Sequence, residues 1–118
     1  MSKYDLEQRT EQFATDVRRF VRLIDLDIPN REDAKQVVRS SGSIAANYIE
    51  ANDALSQKDF IHRMKVSRKE TKETRLWLNL IRVADEILKV EKDRLTIEST
   101  ELLKILSAII SKSDLKVS

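Results

Sequence analysis

Cysteine is absent from this 118-residue chain, and glycine, proline, histidine and tryptophan occur once each. Without thiols there is no disulfide and no cysteine-ligated metal. A single histidine argues against a histidine-based metal set. A fold of many strands and tight turns needs more glycine and proline than this, so long helices with few connections are favoured. Aromatic residues make up 5% of the chain, too few for a base-stacking platform that would grip single strands. No apolar run approaches the length of a membrane span. The opening MSKYDLEQRTEQ lacks the apolar segment of a signal peptide, so the cytoplasm is the expected location. Formal net charge is only +2, so any case for nucleic acid has to come from local clustering of cations.

What is present is amphipathic. Charged residues are 36% and apolar residues 41%, which suits helices with one wet face in a single domain spanning 1–118. Periodicity places helices at about 4–25, 30–54, 57–84 and 94–112. In the first, Leu6, Thr10, Phe13, Val17, Phe20, Val21 and Ile24 share one side, and Pro29 enforces the turn that follows. The second starts near Asn30 as N-cap, with Ala34, Val37, Val38, Ser41, Ile44, Ala45, Tyr48 and Leu55 as its core stripe. Gly42 inside this helix costs about 1 kcal/mol against alanine, which implies a packing reason such as close approach of another helix.

Ser56 to Asp59 resembles a capping box opening the third helix. Its inward face is Phe60, Ser67, Thr71, Thr74, Leu78 and Ile81, with Met64 beside it. Residues 85–93 (DEILKVEKD) read as a loop or short turn whose Ile87, Leu88 and Val90 are apolar enough to dock on the bundle. The fourth helix carries Leu95, Ser99, Leu102, Leu103, Ile105, Leu106, Ile109 and Ile110 on a broad apolar face, and residues 113–118 are expected to fray. Four such helices with short connections give an all-α, antiparallel up-down-up-down four-helix bundle.

Two features sit outside the core pattern. The first is a polar line on the second helix, Arg39, Ser43, Asn47 and Glu50, with Glu70, Glu73 and Trp77 on a second face of the third. Three glutamates on neighbouring helices resemble part of the donor set of carboxylate-bridged metal bundles. Those sites need Glu-x-x-His pairs, whereas the spacing here is Glu70-x-x-Glu73 and His62 lies more than two turns away. The line is better read as a salt-bridged seam within the fold or between subunits, with Trp77 as an anchor in a helix–helix contact. No nucleophile–base arrangement surrounds His62, so no enzyme activity and no cofactor are expected.

The second feature is a basic face on the third helix. From Lys58 to Ala84 there are eight cations against three acids, an excess of five on a chain whose total is +2. Lys65, Arg68, Lys69, Lys72 and Arg75 carry it. Their chemistry fits contact with the phosphates of RNA or DNA without base readout. It also fits a solvated face with intrahelical pairs such as Lys69–Glu73, or a protein–protein scaffold that meets an acidic partner.

Residues Arg39 to Ala51 (RSSGSIAANYIEA), Ser56 to Lys65 (SQKDFIHRMK) and Lys69 to Leu78 (KETKETRLWL) resemble the family of 23S ribosomal RNA intervening-sequence proteins, the S23 type. Arg9-Thr10, Phe13-Ala14 and Leu102 to Leu106 (LLKIL) extend the resemblance over nearly the whole length. That family also takes in the accessory protein of diversity-generating retroelements. The resemblance implies a homopentameric barrel of bundles, association with nucleic acid, and for the retroelement member a reverse transcriptase as partner. It brings no enzyme chemistry. Ser67-Arg68 departs from the Ala-Leu pair expected there, which would polarise the core at that turn.

Overall fold

The structure is a computed structural model that describes residues 1–117. Its elements are α1 (Lys3–Val21), α2 (Ile28–Asn52), α3 (Gln57–Leu80) and α4 (Glu86–Val117), and there is no strand among the described residues. Each helix packs against its two neighbours in a ring, α1 on α2, α2 on α3, α3 on α4 and α4 on α1. The fold is therefore the expected all-helical four-helix arrangement. The longest dimension, 48 Å, is the length of α4, since 32 helical residues at about 1.5 Å each span it.

The core follows the periodicity closely. Phe13, Val17 and Phe20 of α1, Val37 and Ile44 of α2, Met64 and Leu78 of α3, and Leu95, Leu102 and Leu106 of α4 are all buried. Leu55 is a correction: it lies in the α2–α3 turn and is 99% exposed. The helix carrying the stripe ends at Asn52, before Leu55 can join it.

The ends of the helices are where the structure departs most from the periodicity. α1 stops at Val21 rather than near Asp25. α2 is capped by Asp27, whose side chain accepts from the Asn30 N–H at 2.9 Å. Proline then sits in the first turn, where its missing N–H costs nothing. Asn30 is not the cap but a buried clasp. Its Nδ2 donates to Asp25 O at 2.9 Å and Arg82 O at 2.7 Å, and its Oδ1 accepts from Arg82 N at 3.0 Å. One side chain thus joins the α1–α2 and α3–α4 connections. It also explains why α3 ends at Leu80 instead of near Ala84: Ile81 turns extended, and the backbone of Arg82 is taken by Asn30.

Residues 85–93 are not a loop. Asp85 caps α4, accepting from Leu88 N at 3.0 Å. Glu86–Lys89 and Glu91–Arg94 pair across one turn at 3.2 and 2.6 Å, which suits a surface helix. Leu88 packs on the core, while Ile87 and Val90 are 79% and 68% exposed. Residues 113–117, expected to fray, are helical, and Ser113 is buried. Residue 118 lies outside the described residues.

The α2–α3 contact is the most extensive in the bundle, and it is built from small hydroxyl residues. Ser67 Oγ donates to the Ile44 carbonyl at 2.8 Å, and Thr74 Oγ1 lies 2.8 Å from Ser40 Oγ. All three hydroxyl residues are fully buried. Small side chains let the two helices approach, and each hydroxyl finds a partner, so the polarity carries no unmet hydrogen bond. Ser67 therefore does polarise this turn of the core, in a satisfied form.

The α1–α4 seam is held by charge. Arg9 makes a two-pronged bond to Glu98, 2.8 Å on each oxygen, and Arg94 reaches Asp16 at 3.0 Å. The bond from Glu98 raises the Arg9 pKa, with partial desolvation opposing it. Gly42 answers to a side chain rather than to a helix backbone. The Arg18 guanidinium donates to Ala14 O and Val38 O at 3.1 and 3.3 Å, and a Cβ on Gly42 would lie 3.0 Å from its Nη2.

Candidate nucleic-acid interface

α3 presents three surfaces because it is packed on two sides. Its core face is buried, one flank adjoins α2 and the other adjoins α4. Glu70 and Glu73 lie on the α2 flank. Lys65, Lys69 and Lys72 point to solvent, and Arg68 and Arg75 are half-buried on the side of α4. From Lys65 to Arg75 the strip runs ten residues, about 15 Å of helix.

These five cations are distinguished by their clustering on one strip of a single helix without counter-charge. Elsewhere Arg9, Arg19, Lys35, Arg39, Lys89, Arg94 and Lys104 each have an acid within 4.0 Å, whereas cations scattered over the other surfaces, such as Lys3, Arg22, Arg31 and Lys112, have none among the described residues. Among the described residues, Lys65, Arg68, Lys69, Lys72 and Arg75 form no such pair. The intrahelical pair Lys69–Glu73 does not form. Glu73 turns to Arg39 at 3.8 Å instead, and Glu70, nearly buried, takes the same guanidinium at 3.3 Å. Burial favours this choice, since a charge near the core gains more from a partner than one in water. Arg75 Nη1 donates to Thr100 Oγ1 on α4 at 3.4 Å. Thr100 was not legible as part of this surface, because a threonine on the polar side of an amphipathic helix carries no sign of which neighbour it meets.

The polar line divides in two. Arg39, Glu70 and Glu73 form one cluster across α2 and α3. In the other, Asn47 Nδ2 donates to Ser43 O and Oγ at 2.9 Å each, and Asn47 Oδ1 accepts from Arg63 at 3.3 Å. Glu50 joins neither; it is exposed and lines a shallow pocket of about 310 Å³ with Asp53, Asp59, His62 and Arg63. No group of three or more His, Cys, Asp or Glu among the described residues is placed to hold a metal ion. Trp77 is half-buried against the core, and its shielded Nε1 has no acceptor. No helix among the described residues is long and apolar enough to cross a membrane.

The family model described as 23S rRNA-intervening sequence protein matches residues 2–108. Among solved structures, the chain is similar to a protein of unknown function from the S23 ribosomal protein family of Bacteroides thetaiotaomicron. The two share 29% identity with a TM-score of 0.71, over 88% of this chain and 96% of that one. No curated protein matches.

Proposed function

The chain belongs to the family of 23S rRNA-intervening sequence proteins, and from that membership we propose that it is a non-enzymatic, self-assembling cytoplasmic bundle that binds the phosphate backbone of RNA or DNA through α3. The observation that supports the reading is the clustering of five cations along one strip of α3, none of which has an acid within 4.0 Å among the described residues. Unpaired cations at close spacing attract a polyanion, and releasing its condensed counterions drives binding. No exposed aromatic interrupts the strip, so contact is with backbone rather than stacked bases. Reversing Arg68, Lys72 and Arg75 to Glu should abolish the shift of a labelled RNA or DNA duplex in a low-salt gel. An unchanged shift refutes the assignment.

Self-assembly rests on separate observations. Ile49 of α2 and Leu80 of α3 are each 48% exposed, and the Trp77 indole N–H is shielded from water yet lacks an acceptor. A second copy seated here would cover the apolar groups and can supply that acceptor. The pentameric barrel implied by the family resemblance is the proposed form. Light scattering that returns 13.7 kDa, the mass of one chain, refutes it. A second reading follows from the same exposed groups: an accessory subunit for another protein, such as a reverse transcriptase. Recovery of a protein partner after nuclease treatment would favour it.

A further inference from the structure

The strip on α3 has a second edge that its charges alone do not define. Arg68 and Arg75 stand seven residues apart, two turns and about 10 Å, on the side of α3 that meets α4. Arg75 already crosses that side to the Thr100 hydroxyl. Neighbouring helices joined by a short connection run antiparallel, so seven residues back along α3 correspond to seven forward along α4. Opposite Arg68 therefore falls Ser107. Both are half-buried, as Arg75 and Thr100 are. Neither the Arg68 guanidinium nor the Ser107 hydroxyl has a hydrogen-bonding partner in the protein among the described residues. Thr100 gives its own proton only to the Thr96 carbonyl, at 3.2 Å, a local bond easily exchanged.

A guanidinium beside a hydroxyl suits a phosphodiester. The guanidinium donates two N–H groups to one non-bridging oxygen or to both, and the hydroxyl donates one more. We propose that the groove between α3 and α4 is a strand track, in which Arg75 with Thr100 and Arg68 with Ser107 each hold one phosphate of the same nucleic-acid strand. The inference rests on the backbone-binding reading of α3 and adds to it the hydroxyls of α4. At about 10 Å apart the two pairs take different phosphates of the strand, and Lys72 lies between them in sequence.

The test separates hydroxyl from charge. Fluorescence anisotropy is recorded with the full chain and a labelled 30-base-pair RNA or DNA duplex over a series of KCl concentrations. T100V keeps the shape of the side chain and removes the hydroxyl; S107A does the same for serine. The double variant should bind about tenfold more weakly at every salt concentration, with the slope of log K against log[KCl] unchanged, because a neutral donor releases no counterion. T100S and S107T, which keep the hydroxyls, should bind as the wild type does and show that helix packing is not the cause. Equal binding by T100V/S107A and the wild type, while lysine variants of the outer face weaken, overturns the groove and leaves the α3 reading in place. A loss that appears in the slope overturns it as well. Wild-type protein that does not bind at low salt overturns both.

Discussion

Replacing Lys65, Lys69 and Lys72 together by glutamine removes charge where it is least entangled with the fold. All three side chains point to solvent, and none has an acidic partner among the described residues. Glutamine has nearly the helix propensity of lysine, so α3 should persist. If all five cations of the strip meet phosphates of a B-form duplex, each contributes about 0.9 to the salt slope, giving a slope of about −4.5 per engaged protomer. Raising KCl fourfold, from 50 to 200 mM, then weakens binding about 500-fold. The triple variant keeps Arg68 and Arg75 and should show a slope of about −1.8, or roughly 12-fold over the same range. Assembly changes how many protomers touch one duplex but not the ratio of the slopes, about two-fifths. Anisotropy with a labelled duplex at four salt concentrations measures both slopes, and circular dichroism confirms that the variant is folded. Equal slopes for the two proteins, or a wild-type slope near zero, would refute the reasoning.

Two further predictions concern the fold. Asn30→Ala strands two carbonyls and one N–H at a buried junction, and should cost about 2–4 kcal/mol in urea unfolding. Asn30→Asp should cost at least as much, because a carboxylate cannot donate to two carbonyls; a loss below about 0.5 kcal/mol in either variant removes the clasp from the account. Burial holds the Tyr48 hydroxyl above its ordinary pKa of 10.0, with a bond from Asn52 opposing and the charge of Glu7 adding. A raised folded-state pKa means the folded chain keeps the proton that the unfolded chain loses near pH 10. That stabilisation is complete below pH 10 and disappears as pH rises through the higher folded value. Melting temperature should therefore fall more steeply above pH 10 for the wild type than for Tyr48→Phe, and parallel curves would contradict it.

The four helices and their buried faces were legible in the sequence because the 3.6-residue repeat is a local property. Phe13, Val17 and Phe20, or Leu95, Leu102 and Leu106, declare a common side without reference to any other helix. The cations of α3 were legible for the same reason: their spacing alone puts them on one strip. Helix ends were less so. Asp85 lies among charged residues that look like a turn, and only the completed bundle draws Leu88 into the core and makes the following residues helical. Asn30 resembles a cap in sequence, yet its side chain is taken by a backbone 52 residues away. Tertiary structure also decided which charges stay free. Lys69 and Glu73 have the spacing of an ion pair, but Arg39 of α2 reaches Glu73 and Glu70, and Lys69 is left facing solvent. Local spacing determines which side chains can meet within a helix. The register between helices determines which of them do, because a nearly buried carboxylate gains more from a cation than an exposed one does.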